Sequence, residues 1–484
     1  MFTFIISLIA LVAGYFIYGT IVERVFKVDS LRPTPAAEQP DGVDFVPMTT
    51  WRVYLIQFLN IAGVGPIFGA IMGVMYGPAA FLWIVLGTIF AGGVHDFVSA
   101  MISLRSGGKS LPELVGTELG TSIKRIMGVL TSVLLLMVVA VFVKTPAGLL
   151  GMMTPDYMDV TFWAAVIFLY YVLATLLPVD KLIGNLYPVF GFALLFMAVG
   201  IMWHLLFSGV TIPDGMAEGL FNRHSMGEDA PVFPMMFVSI ACGAISGFHA
   251  TQSPMMARCL KTERHGRFVF YGAMISEGIV ALIWAAAAIA FTGGYDGLAG
   301  YMAENGSDAG ALVHTICTSW LGTFGGILAV LGVVAAPITT GDTAMRSLRL
   351  IIADAFGIDQ RSLWKRLLVT LPIIAVTFLL MQINFDVLWR YFAWTNQTLS
   401  VFTLWACSVY LARHGRNFYI TALPAMFMTC VCTTYILFAP NGVAGDGIGL
   451  PWAVSLAGGI IAMAGAAFVF MRKYGLRPDS IVNA

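Results

Sequence analysis

Charge is what this chain has least of. Only 11% of its 484 residues are charged while 59% are hydrophobic, and the mean hydropathy of +0.86 excludes an ordinary soluble globular protein. Basic and acidic residues number 26 each, so there is no basic surplus for nucleic acid and no acidic tail. Cysteine is scarce too, with six residues at 242, 259, 317, 407, 430 and 432, and five of them fall within or at the end of apolar stretches. That placement argues against a disulfide framework. Cys430 and Cys432, two apart on a helix, point to different sides and read as small packing residues rather than a metal pair. Neither an H-E-x-x-H helix nor a G-x-S-x-G elbow is present, which leaves a membrane-embedded metal-dependent enzyme with poor motif support.

What is abundant is apolar sequence in runs of membrane length. A bilayer core of about 30 Å needs roughly 20 apolar residues per helix. Thirteen segments qualify: 2–22, 51–75, 79–104, 123–144, 160–177, 186–207, 233–257, 268–291, 324–350, 364–381, 386–412, 418–439 and 451–471. The expected fold is therefore an all-α membrane protein with about 13 transmembrane helices. Phe2 to Val22 is too long for a signal-peptide core and is followed, not preceded, by Arg24 and Lys27, which predicts a retained first span with the N-terminus outside. On that register only Lys144, Arg223 and Arg390 fall on the outer side, and the other 23 of 26 basic residues lie inside, together with the C-terminus. A bacterial inner membrane is the expected location. The outer loops 208–232 and 292–323 carry Gly, Asp and Pro turn signals and are too short for a soluble domain.

Two spans look interrupted. The second holds Gly63, Gly65 and Pro66 within seven residues of Asn60. The seventh holds Gly243, Ser246, Gly247 and then Ser253-Pro254. Open backbone at membrane depth is tolerated where protein or a water-filled cavity satisfies it. Breaks five spans apart predict two five-helix repeats of opposite orientation, 51–207 and 233–412, with the substrate site between the broken helices. Residues 1–50 supply an extra N-terminal span and inner loop, 208–232 an outer loop, and 413–484 two further spans and a tail. A proline after each break suits the first turn of a new half-helix, and the freed N–H groups near Gly65-Pro66 would favour a carboxylate. A packing kink with small residues is the competing explanation. Candidate substrate contacts are Asn60, Gly63, Gly65, Ser246, Gly247, Phe248, His249 and Gln252.

Polar groups at depth supply the candidates for coupling. His95 and Asp96 precede Arg105 by nine to ten residues, roughly 13 to 15 Å along a helix, too deep to snorkel. Glu277 lies equally deep, ten residues past Arg267. Each suits proton coupling; a hydrogen bond between helices explains His95 and Glu277 equally well and Asp96 less well. Thr339, Thr340, Asp342 and Thr343 offer hard-cation oxygens, although the threonines can return their hydroxyls to the backbone and Arg346 lies one turn from Asp342. The expected coupling ion is H+ or Na+, with no cofactor and no bound metal. Trp394, Asn396 and Gln397 in the eleventh span read as gating residues or helix contacts.

NIAGVGPIFGA at 60–70, AGGVHDF at 91–97, SGFHA at 246–250, TTGDTAMRSLRLIIAD at 339–354 and WRYFAWTNQ at 389–397 together resemble the carbon starvation protein A (CstA) family, in a shorter form with less of the C-terminal extension. The resemblance implies a LeuT-like core, as in the amino acid/polyamine/organocation superfamily. It also implies uptake of short peptides or pyruvate-like small carboxylates during nutrient limitation. The partners so implied are a small-molecule substrate and the lipid bilayer. A nutrient sensor derived from a transporter is a further reading, without an attached signalling domain to support it.

Overall fold

The computed structural model describes the chain except for residues 41–44, 177–178, 216–218, 241, 306–307, 361, 384, 440–446 and 476–484. Residue 177 of the fifth expected span, 241 of the seventh, part of the 208–232 loop and the end of the tail thus lie outside the described residues. The described residues form helices and no strand. Large apolar side chains such as Phe16, Ile17, Trp203 and Phe468 stand more than half exposed on the outside, as lipid contact requires.

Nine helices among the described residues are long and apolar enough to cross a membrane, or ten if Thr50–Ile61 and Gly65–Val74, bent by 54°, are one span. The other expected spans are helical as well. Val160–Leu176 is shorter, the seventh is broken, and Phe385–Arg413 carries Arg390, Asn396 and Gln397 among its apolar residues. Thirteen crossings therefore stand as a proposal.

Two expectations need correction. The described part of segment 292–323 is largely helical, with Tyr295–Glu304 followed by Ala309–Phe356, two helices that meet at a kink at Gly322 (φ 68°). Gly293 and Gly294, at φ 81° and 128°, make the turn that the Gly-Asp pattern signals, and helix resumes at once. Asp308 then caps the helix that starts at Ala309, accepting from the N–H groups of Gly310 (2.8 Å) and Ala311 (3.1 Å). The second correction concerns Pro254. It sits inside His249–Ala257 and does not begin a half-helix. Within this short helix the Ser253 hydroxyl donates to the His249 carbonyl one turn back (2.9 Å).

Loops assigned to one side by charge touch one another. Arg105 donates to both oxygens of Glu263 (2.8 Å each) and to the Lys27 carbonyl, while the backbone N–H of Asp29 donates to Glu263. Arg413 reaches Glu118 at 3.0 Å. At the opposite end Lys144 donates to the carbonyls of Met381 and Ile383, and Arg223 N–H to Tyr76 O. Glu263 is fully buried and Arg105 is its closest cation, with Arg32 at 3.9 Å. Removing one partner of such a pair leaves an uncompensated charge. Arg105→Ala should therefore destabilise the protein by about 3 kcal/mol, read as a lower melting temperature in detergent, and Glu263→Gln in the same background should recover part of the loss.

Candidate functional site

The first broken helix ends at Ile61 and resumes as a π-helical turn, Gly65–Gly69, that continues into Ala70–Val74. Pro66 occupies the first turn, where its missing N–H costs nothing. The second broken helix ends at Ser239 and resumes at His249, and the described residues between them, 240 and 242–248, are non-helical. The two breaks touch. A Cβ on Gly65 would lie 2.3 Å from Cys242 Cβ, and one on Gly73 2.2 Å from Ile240. Cys242 thus fills the space beside Gly65, and in this conformation the first break faces the second helix.

Protein groups satisfy the opened backbone. Asn396 does most of this for the second helix: its Oδ1 accepts from Phe248 N–H (2.7 Å) and the Ser246 hydroxyl (3.0 Å), and its carbonyl accepts from Gly247 N–H (3.2 Å). Gln397 Nε2 donates to Ile245 O, and the Thr88 hydroxyl to Gly243 O. On the first helix the Leu59 carbonyl accepts from Thr340 Oγ1 (3.1 Å), and Asn60 Oδ1 from Thr343 (3.4 Å). Trp394 instead ties its helix to the next through the Cys432 carbonyl (3.2 Å).

Four of the candidate residues converge. His95 Nδ1 lies 2.7 Å from Asp96 Oδ1, His249 Nδ1 lies 2.8 Å from Asp96 Oδ2, and His249 Nε2 lies 3.4 Å from Glu277 Oε2. All four side chains are completely buried. They come from three elements: Gly93–Arg105, the first residue of His249–Ala257, and Gly272–Phe291. π-Helical turns at Thr88–Gly92 and Arg267–Tyr271 precede two of these helices, and each extra residue changes which face of the helix points inward. Gly92 permits the close approach, since a Cβ there would sit 2.3 Å from the Ala244 carbonyl oxygen.

The protonation of this chain follows from its donors and acceptors. When each Nδ1–H donates to the Asp96 carboxylate, a neutral His249 presents a lone pair at Nε2 to an ionised Glu277. Two acceptors at 3.4 Å repel unless one carries a proton. One proton held between His249 and Glu277 would remove that repulsion and bring the four groups from two buried negative charges to one.

Asp342 belongs to a second group, with Tyr170, Tyr171 and Arg346 around it. It is fully buried, and neither of its oxygens has a hydrogen-bond partner among the described residues. Thr339 and Thr340 return their hydroxyls to the Ala336 carbonyl (2.8 Å each). Gln252 donates to its neighbour Thr251, and Gly63 abuts the Phe142 ring and Thr340.

Sequence reasoning missed three participants. Cys242 takes part in hydrogen bonds with Ser246 (3.6 Å) and Asn396 (3.5 Å) and adjoins the His249 ring. Its signal was its place beside Gly243 in the break. Thr88 lies in an apolar run that marks nothing. Tyr171, whose hydroxyl donates to the Phe142 and Pro337 carbonyls, could have been sought from Gly341, where a Cβ would collide with that hydroxyl.

An all-helical bundle with apolar flanks and an ionisable centre defines a multi-pass membrane protein, and its fold is that of a solved transporter. A manganese transporter from Eremococcus coleocola, in complex with an aromatic bis-isothiourea substituted compound, superposes with a TM-score of 0.53 at 14% identity, covering 90% of this chain and 99% of that one. The chain belongs to the family described as "Carbon starvation protein CstA", whose profile matches residues 1–156 and 151–320. An "Uncharacterized membrane protein" of Haemophilus influenzae is 45% identical over 338 residues, 60% of this chain and 91% of that protein. "Peptide transporter CstA" of Campylobacter jejuni is 30% identical over 369 residues, 63% of this chain and 52% of that protein. "Pyruvate/proton symporter BtsT" of Escherichia coli is 27% identical over 328 residues, 54% of this chain and 45% of that protein. The chain thus spans about half the length of these two named relatives, which are transporters rather than enzymes.

Proposed function

We propose that this protein is a secondary active transporter of the inner membrane. It takes up short peptides or pyruvate-like small carboxylates by proton-coupled alternating access. The observation that carries the reading is the buried chain His95–Asp96–His249–Glu277, in which one proton removes a buried negative charge and which includes the first residue after a helix break. Loss of that proton changes the charge next to the segment pinned by Asn396, so protonation and helix position are linked. The named relatives support the substrate classes, and the pyruvate/proton symporter supports the ion.

In this reading, 51–207 and 233–412 form two five-helix repeats of a LeuT-like core, and the extra spans lie at either end. The substrate sits between the breaks, where Asn60, Gly63, Gly65, Ser246, Gly247, Phe248 and Gln252 are now packed shut, and rocking of one bundle opens the site. The N-terminus lies outside and the C-terminus in the cytoplasm.

One observation favours a second coupling ion. Asp342, fully buried and with no hydrogen bond among the described residues, has the oxygen chemistry for sodium. Proteoliposomes with pH and sodium gradients imposed separately decide between them. Labelled dipeptide or pyruvate should accumulate under an inward proton gradient alone, and Asp342→Asn should leave that accumulation intact. Accumulation driven only by sodium and lost in Asp342→Asn transfers the coupling role to Asp342. Downhill equilibration alone rejects symport.

A further inference from the structure

A groove of about 800 Å³ lies on the surface of the bundle between Thr121–Met153 and Phe385–Arg413. Arg125, Val129, Val133 and Met137 line it from the first helix, at the four-residue spacing that places side chains on one face, and Tyr391 and Trp394 line it from the second. Val129, Val133 and Tyr391 stand exposed, so something outside this chain covers them.

Arg125 gives this apolar groove its one cationic end, near the start of Thr121–Met153. It is exposed and makes no hydrogen bond or ion pair among the described residues, whereas its neighbour Lys124 is held by Glu113 at 2.7 Å. Its guanidinium is thus open to a ligand, and its fork of N–H donors matches a phosphate. From Arg125 to Met137 the helix rises about 18 Å. One leaflet's share of a hydrocarbon core about 30 Å thick is about 15 Å. An arginine at a helix end carries its charge to the headgroup level, so the groove joins a cation at that level to an apolar wall of leaflet depth.

We infer that this groove binds an anionic phospholipid, with its phosphate on Arg125 and an acyl chain along Val129, Val133 and Met137. A zwitterionic phospholipid also offers a phosphate, but its ammonium would lie beside Arg125 and Lys124, and the like charges weaken it. A second copy of this chain fits less well. Copies inserted in one membrane with one orientation pair about an axis along its normal, which would bring two Arg125 side chains to one level and set like charges against each other. The chain of the lipid lies against Trp394, two residues before the Asn396 that holds the second break, so it buttresses that helix from outside. The assignment is independent of the transport reading.

The test purifies the protein in detergent with an equimolar mixture of phosphatidylglycerol and phosphatidylethanolamine of identical acyl chains and counts the retained lipids by native mass spectrometry. The unaltered protein should retain phosphatidylglycerol about fivefold over phosphatidylethanolamine, the effect of one basic side chain on one anionic lipid. Arg125→Gln should bring the ratio to about one, and Arg125→Lys should keep most of the preference. Val133→Trp should fill the groove and lower retention of phosphatidylglycerol, with an unchanged melting temperature in lipid-free detergent because the position is exposed. A ratio near one in the unaltered protein, the same preference in Arg125→Gln, or unchanged retention in Val133→Trp overturns the assignment. Val129→Cys reports the competing occupant, since the six native cysteines are buried. A chain that stays monomeric on oxidation in membranes supports the lipid, and a disulfide-linked dimer gives the groove to a second copy and overturns the lipid assignment.

Discussion

Asp96→Asn should abolish gradient-driven accumulation, by about 100-fold or more, while substrate still binds. Asp96 accepts from two imidazoles at once, His95 at 2.7 Å and His249 at 2.8 Å, with no exposure to solvent. Asparagine has the same shape but offers one acceptor and one donor, so its amide N–H group must face an imidazole Nδ1–H. One histidine then changes tautomer or loses its bond. If His249 changes, its proton moves to Nε2 and is held against Glu277, locking the site in one state. Glu277→Gln should act from the other end by removing the acidic partner at Nε2. Counterflow, which needs substrate exchange but no net proton movement, should persist in both variants while uphill uptake disappears. Uphill uptake at the unaltered rate in both variants would remove this chain from the coupling mechanism.

Gly247→Ala should cost more than about 3 kcal/mol and sharply reduce the yield of folded protein. A Cβ at this position would lie 2.4 Å from the Asn396 carbonyl oxygen and 2.4 Å from the Ser400 nitrogen. Both are backbone atoms of one helix, so no side chain can rotate away. The helix would have to move, breaking the bonds that Asn396 makes to Ser246, Gly247 and Phe248. Gly65→Ala provides the contrast. Its Cβ would meet the Cys242 side chain at 2.3 Å and 2.4 Å, and Cys242→Gly should make room. Melting curves in detergent should show Gly65→Ala largely rescued by the second change, and Gly247→Ala not rescued by any neighbouring substitution. A Gly247→Ala protein with unaltered melting would show that the two helices are not in contact there.

The individual residues were legible to different depths. His95, Asp96 and Glu277 each stood out as a polar group deep in its span and His249 as a residue beside a break, but nothing in the sequence paired them. His249 lies 153 residues from Asp96, and the pairing depends on two π-helical turns that no composition signal marks. The break at Gly63–Pro66 was visible because glycine and proline act locally on the backbone. Pro254, read by the same rule, misled: the packed helix His249–Ala257 absorbs it. Asn396 and Gln397 were visible as buried polar residues that need partners, yet their role as acceptor and donor for the opened backbone appears only when the helices are assembled.

The sequence by itself determined the membrane class, the abundance of apolar helices and the two sites where helix is weak. These depend on transfer of each segment between water and lipid and on local backbone freedom, which sum along the chain. Only the tertiary structure decided that the two breaks touch, that Cys242 occupies the space beside Gly65, and that four ionisable groups share one buried chain. Those depend on how helices cross and which face each one turns inward, a balance of close packing and hydrogen-bond satisfaction between residues far apart in sequence.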